Sequence, residues 1–308
     1  MDTSVRPQRI DSEALRLWPL PPLDDGADKE ARGRIVVIAG SREIPGAAVL
    51  AATAALRVGA GKLVIATGLS VAGPMAFALP EARVIALPET AAGGFEANGA
   101  ELLETALEAA HAVVIGPGLM DADATCAFVQ RLLPLLRGRC VVLDALAMDC
   151  VAAVGRFPEP VLLTPHAGEM AHLTQADKDE VLADPLSAAV RAARTWNAVV
   201  AVKGPVTAIA APDGRSWLHE GGNCGLATSG SGDTLAGAIG GIAARGATLE
   251  QACAWGVLLH AQAGERLARQ VGPVGYLARE IAREMVAVLR RLEGGEGLTP
   301  TPPAPTGR

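Results

Sequence analysis

Aromatic side chains are scarce in this chain: one Tyr, four Phe and four Trp, 3% of 308 residues. Single-stranded nucleic acid is bound by stacking bases on successive rings, so this composition excludes that kind of binder. Charge excludes related partners. The formal net charge is −6, and no basic stripe offers a field for a phosphate backbone or an anionic membrane. Lysine is nearly absent: Lys29, Lys62, Lys178 and Lys203 are four of the 27 basic residues. The five cysteines (Cys126, Cys140, Cys150, Cys224 and Cys253) are odd in number and scattered, with no CxxC pair or Cys/His cluster. They read as reduced thiols of a cytoplasmic protein rather than disulfides or metal ligands. The first thirty residues mix Asp, Arg and Pro and lack the apolar run of a signal peptide. No long apolar run reads as a membrane span, because Gly68, Gly73, Pro74 and Pro80 break the charge-free stretch 63–80 into strand, turn and helix.

What is abundant is small: 60 alanines and 35 glycines in a chain that is 50% hydrophobic. A chain of this length buries roughly three quarters of its unfolded surface. It therefore needs no covalent staple, and its apolar content excludes disorder for the body. The core must consist of small aliphatic side chains, with elements packed closely.

Short apolar runs alternate with helical stretches. Strands are expected at 34–39, 62–67, 82–87, 112–115, 140–144, 161–164 and 199–202. Helices are expected at 46–58, 98–110, 122–136, 147–154 and 185–196. That alternation predicts an α/β fold with a central, mostly parallel sheet and helices on both faces. Two runs, 207–211 and 216–219, flank Pro212-Asp213-Gly214 and read as an antiparallel hairpin. Three helices follow, near 231–245, 248–271 and 275–293. The expected organisation is an irregular N-terminal arm (1–33), in which Pro19, Pro21 and Pro22 prevent a long helix, one catalytic domain (34–293), and a disordered Gly/Thr/Pro-rich tail (294–308).

The segment 221–237, GGNCGLATSGSGDTLAG, is the most informative. Five glycines precede Asp233 within twelve residues, and an apolar helix follows. Glycine permits the backbone N–H groups of Gly230, Ser231 and Gly232 to converge on one point. That point lies at a helix N-terminus, where orphan N–H groups and the dipole favour a phosphate. Asp233, in the first turn, is either a capping acid or a general base aimed at a hydroxyl beside that phosphate. The segment is no P-loop, since GxxxxGK[ST] is absent, and the first strand exit lacks GxGxxG spacing. Other strand exits converge on the same sheet edge. His166 and Glu169 follow Thr164-Pro165, Lys203 opens a turn, and Gly116-Pro117-Gly118 closes another run. Each alone is equally a surface His, a first-turn Glu, a solvated Lys or a plain turn; their convergence is what points to a ligand site.

Taken in order, GSRxxPGAAxLAAxAALRxGAGKL (40–63), PEA (80–82), IGPGL (115–119), LTPHAGE (163–169), VKGPVT (202–207), GN (222–223), GSGDTLAG (230–237) and LLHAQAG (258–264) resemble the ADP-dependent NAD(P)H-hydrate dehydratases, which have a ribokinase-like fold. The match spans residues 33 to 292. The resemblance implies a hydro-lyase of the nicotinamide-nucleotide repair class that acts on the S form of NADH or NADPH hydrate. ADP, or ATP in its place, would be the phosphoryl donor with Mg2+, and AMP and phosphate would be released. It implies that Asp233 is the catalytic base and that Ala47, Gly118, His166 and Asp233 meet the hydrate. It places Lys203, Gly204, Pro205, Val206, Thr207 and Gly232 at the adenine nucleotide. The amides of Gly230, Ser231 and Gly232 would form the anion hole, and Glu169 would organise metal-bound water. It implies a homo-oligomer, tetrameric as in relatives, and a separate NAD(P)H-hydrate epimerase as functional partner, with no nucleic acid and no membrane. Three departures stand out: Leu146 where relatives carry an acid (LDADAL), Ala167 for a usual proline, and Ser229 for a frequent glycine. Leu146 puts a second carboxylate role in doubt. The competing readings are a small-molecule kinase of the same fold, disfavoured because vitamin-precursor kinases usually read GTGC at 230–233, and a nucleotide-binding regulator without catalysis.

Overall fold

The computed structural model describes residues 6–22 and 28–294. Ten strands form one sheet: β1 (Gln8–Arg9), β2 (Arg34–Ile38), β3 (Lys62–Gly68), β4 (Ala82–Leu87), β5 (Ala112–Ile115), β6 (Cys140–Leu143), β7 (Val161–Leu163), β8 (Ala198–Val202), β9 (Val206–Ala210) and β10 (Ser216–Glu220). Their order is β1-β10-β9-β8-β7-β6-β5-β2-β3-β4. From β4 to β8 every pairing is parallel; β8, β9 and β10 are antiparallel, each to the next. The helices are α1 (Ser12–Arg16), α2 (Pro45–Arg57), α3 (Leu69–Ala78), α4 (Glu104–Glu108), α5 (Ala122–Leu132), α6 (Val151–Val154), α7 (Ala167–Thr174), α8 (Lys178–Ala183), α9 (Pro185–Trp196), α10 (Ser231–Ala244), α11 (Leu249–Gln270) and α12 (Ala278–Leu292).

The central strands are apolar throughout because both sheet faces are covered. Along β2, Ile35 and Val37 enter one core with α2, α10, α11 and α12. Val36 and Ile38 enter the other, with α5 and α9. This is the period-two alternation of a strand, buried on both sides. Small residues let the first layer close tightly. A methyl built on Gly237 would overlap the Ala51 carbonyl, and one on Gly241 the Ala55 backbone, so α10 and α2 meet backbone to backbone along a seam of glycine and alanine.

Three expected helices are shorter than expected. A 3-10 turn occupies Ala97–Leu103 ahead of α4 and another, Ala145–Cys150, precedes α6. A third, Leu133–Leu136, ends α5, because Pro134 lacks the N–H that the α ladder needs. Helices α7 and α8 were not anticipated.

The segment read as an irregular arm has order within it. β1 pairs in parallel with β10, and Asp11 caps α1 by accepting from Glu13 and Ala14. Ile10, Leu15 and Leu20 are buried. Trp18 stacks on Trp217, ring centroids 5.8 Å apart, and its carbonyl accepts from Trp255 Nε1 at 2.9 Å. The prolines do stop α1, but apolar residues between them anchor the chain to the sheet edge. The boundary near residue 294 and the tail beyond it fall almost wholly outside the described residues.

Candidate active site

β2 lies between β3 and β5, and the chain leaves it toward β3 and β4 before returning on the other side at β5. The crevice beyond the carboxyl ends of β2 and β5 is therefore the switch point at which open α/β sheets bind ligands. Gly40 and Gly116 to Gly118 frame it. Gly40 N donates to the Pro117 carbonyl at 2.8 Å. Gly40, Gly116 and Gly118 all have positive φ, 77°, 130° and 66°, a region in which a side chain is strained. A methyl on Gly118 would come within 2.6 Å of Ala47 Cβ and 2.7 Å of the Ile44 carbonyl. The structure thus brings Ala47 and Gly118, two of the residues expected at the hydrate, against each other.

The next exits carry charge. Asp144, just past β6, accepts from Thr164 Oγ1 at 2.6 Å and from Lys203 Nζ at 3.1 Å. Its side chain is 4% exposed and that of Lys203 19%. Lys203 Nζ also lies 3.8 Å from Glu169 Oε2. Although burial disfavours the ammonium, the Asp144, Glu169 and Asp233 charges outweigh it and raise the Lys203 pKa. The Lys203 backbone N donates to the Pro165 carbonyl at 2.8 Å, tying the β7 and β8 exits together. Gly204 to Thr207 form the tight turn into β9, where Thr207 Oγ1 donates to the Gly204 carbonyl at 3.3 Å.

His166 is the N-cap of α7. Its Nδ1 accepts from Gly168 N at 3.0 Å and Glu169 N at 3.1 Å, so the neutral ring carries its proton on Nε2. Glu169 Oε2 accepts from His166 N at 2.7 Å, completing a capping box. The cap leaves Nε2–H of an exposed ring as a donor.

α10 begins where the glycine-rich segment ends. Gly230 is its N-cap in a left-handed conformation, φ 85°, and a methyl there would strike Leu50. Asp233 lies in the first turn. Burial, and then the Asp144 charge, raise its carboxyl from the ordinary 3.8 to about 6, while Lys203 pulls it down. No hydrogen bond contributes to that shift, so Asp233 is not spent on capping. A methyl on Gly232 would sit 3.6 Å from Lys203 Nζ, which puts the ammonium over the same turn. Ser231 Oγ lies 2.9 Å from His260 Nε2 of α11.

Two residues of this constellation escaped the sequence reading. Asp144 sits at a strand exit like the others, and that position was its only signal. Leu146, where relatives carry an acid, packs against the core. His260 lies mid-helix, and its one signal was its place in the LLHAQAG run, to which no role was attached. A groove of about 510 Å³ at the opposite strand ends, bordered by Arg139, Glu159, Asp213 and Glu250, contains none of the converging residues. The convergence of side chains, not that groove, marks the candidate site. Among the described residues no helix is long and apolar enough to cross a membrane.

Comparison with known proteins gives concordant results. The family model described as NAD(P)H-hydrate dehydratase matches residues 35–286. The ADP-dependent (S)-NAD(P)H-hydrate dehydratase of Xanthomonas campestris is 48% identical over 296 residues, covering 95% of this chain and 100% of that protein. A bifunctional NAD(P)H-hydrate repair enzyme of Moorella thermoacetica is 39% identical over 278 residues, but the match covers only 52% of its length. The ADP/ATP-dependent NAD(P)H-hydrate dehydratase of Bacillus subtilis, co-crystallised with ATP/Mg2+, superposes with a TM-score of 0.80 at 32% identity, covering 94% of this chain and 100% of that one.

Proposed function

The chain belongs to the NAD(P)H-hydrate dehydratase family, and from that premise we propose how its residues perform the reaction. The activity is the ADP-dependent dehydration of the (S) form of NADH or NADPH hydrate, a hydro-lyase reaction that restores the reduced nucleotide. Hydroxide is a poor leaving group and phosphate a good one. The C6 hydroxyl oxygen of the hydrate attacks the β-phosphorus of ADP, and the bond from that phosphorus to the bridging oxygen breaks, releasing AMP. The C6–O bond then breaks as the ring-nitrogen lone pair moves in, a proton leaves C5, and phosphate departs. Asp233 accepts the hydroxyl proton in the first step. The observation that carries this assignment is a half-buried carboxylate with no hydrogen bond shaping its acidity, in the first turn of α10, with a pKa of about 6. A base poised near neutrality is effective at physiological pH.

Of the three amides expected to form the anion hole, Ser231 N donates to the Thr228 carbonyl at 3.1 Å and is spent within the turn. This leaves the Gly230 and Gly232 amides as the donors for the transferred phosphoryl, where fixed donors stabilise developing charge. Lys203 neutralises nucleotide phosphate, and the turn from Gly204 through Pro205 and Val206 to Thr207 borders the nucleotide. Ala47, Gly118 and the His166 Nε2–H hold the hydrate. Magnesium fits this donor set as a hard cation, because Glu169 and Asp233 offer carboxylate oxygens beside the Lys203 ammonium. No three ligating side chains among the described residues are placed to hold an ion alone, which suits a metal carried on phosphates. Bound there, it would neutralise phosphate charge, with Glu169 holding one of its waters. We assign the chain a homo-oligomeric state, tested by sedimentation, a cytoplasmic setting, and a separate epimerase that supplies the (S) form.

The test is incubation with (S)-NADPH hydrate, Mg2+ and either ADP or ATP, following the reduced-nicotinamide absorbance. Recovery with stoichiometric phosphate is expected. Absence of recovery overturns the reading, and a stable phosphorylated product returns it to a kinase.

A further inference from the structure

His260 was given no role by the sequence reading or by the mechanism above. Its Nε2 lies 2.9 Å from Ser231 Oγ and 3.1 Å from the Ser231 carbonyl oxygen. A carbonyl oxygen only accepts, so Nε2 carries a proton whichever charge the ring has. The hydroxyl, facing the same N–H, must then accept from it. A hydroxyl has one proton and two lone pairs. With a lone pair committed to His260, its proton points away from the imidazole. Ser231 is 5% exposed, and His260 is its one side-chain hydrogen-bond partner among the described residues. Ser231 is the first residue of α10 and stands two positions before Asp233, so the spare donor belongs to the turn that receives the phosphoryl group.

We propose that the Ser231 side-chain hydroxyl is a catalytic donor to the transferring phosphoryl group, and that His260 is the positioning residue that turns its proton outward. The assignment rests on the phosphoryl-transfer reading above. Burial supports a constant arrangement: it lowers the His260 pKa to about 4, so the ring stays neutral over the working range. An imidazole confined this way costs desolvation that an apolar residue would not. Here the return on that cost is a hydroxyl with a single donor direction, which supplements the Gly230 and Gly232 amides where the Ser231 amide is held by the Thr228 carbonyl.

Two measurements test it. Ring 15N shifts of His260 in the nucleotide-free protein, assigned by their loss in His260→Gln, are expected to place the proton on Nε2; an Nδ1–H tautomer overturns the proposal without reference to activity. In steady-state assays Ser231→Ala is expected to lower kcat about a hundredfold, with KM for ADP changed less than about threefold. His260→Leu should do the same, and the double variant no worse than either single one, since the two act as a unit. His260→Gln, whose amide N–H can replace the ring donor, should recover part of the lost kcat. Multiplicative losses in the double variant, or full kcat in Ser231→Ala, overturn it. Should His260→Leu fail to fold, Ser231→Ala and His260→Gln decide the matter. A wild-type enzyme inactive on the hydrate would instead refute the dehydratase reading, with the ring tautomer still measurable.

Discussion

Replacing Asp233 by Asn removes one charge and preserves the side chain's shape. Burial and the neighbouring Asp144 charge raise the Asp233 carboxyl from 3.8 to about 6, so the folded protein holds this proton more tightly than the unfolded chain does. Between those two values the native state binds more protons, and stability falls as pH rises. The full shift corresponds to about 3 kcal/mol. Because the side chain is only half-buried, solvent screening reduces this to about 1–2 kcal/mol. The neutral amide carries no such penalty. The Asp233→Asn variant should therefore match wild type near pH 4 and gain on it through pH 6. Above pH 7 it should level off about 2–6 °C higher in Tm, while losing turnover. Paired thermal melts from pH 4 to 8.5, alongside the hydrate assay, read both effects. In wild type, kcat/KM should decline about tenfold per pH unit below pH 6 as the base protonates. Equal melting of the two proteins at pH 8 would show that the site does not strain this carboxylate. Turnover by the variant would remove Asp233 from proton transfer.

Three further outcomes follow from other contacts. Lys203→Met leaves Asp144 buried without its cation, and should cost on the order of 3 kcal/mol in urea unfolding and raise KM for ADP. Adding Asp144→Asn should restore stability but not nucleotide affinity. His166→Ala removes the α7 cap and should cost about 1 kcal/mol, whereas His166→Asn keeps the cap; a raised KM for the hydrate in both separates substrate binding from capping. Trp18→Ala empties the stack on Trp217 at the sheet edge and should cost about 2 kcal/mol in unfolding experiments, with kcat unchanged below the melting range.

Most of the strands were legible because they are short apolar runs that end at or next to glycine or proline, and a parallel sheet buried on both faces demands that pattern; β1, too short and polar to show it, was missed. β6 was read one residue long, through Asp144, because an acid after VVL gives no local stop signal; its partners, Thr164 and Lys203, lie 20 and 59 positions away. The helices preceded or followed by 3-10 turns were overextended for a related reason. Ala145 adopts φ 47°, a choice made by its surroundings and not by alanine's own preference. Glycine convergence drew attention to the α10 entry and Asp233, since backbone access leaves a mark in composition. The His260 contact leaves none, because a single polar residue in an apolar helix looks the same whether or not it serves a site.

The glycine and alanine seam between α2 and α10 has a mechanical consequence. Gly237 lies one helical turn after Asp233, and its backbone rests directly on that of Ala51. With no side chain between Gly237 and Ala51 to change rotamer, the crossing has little slack there, and main-chain contact fixes the spacing between the Asp233 turn and α2. A change of volume elsewhere in the core should therefore leave that spacing unaltered.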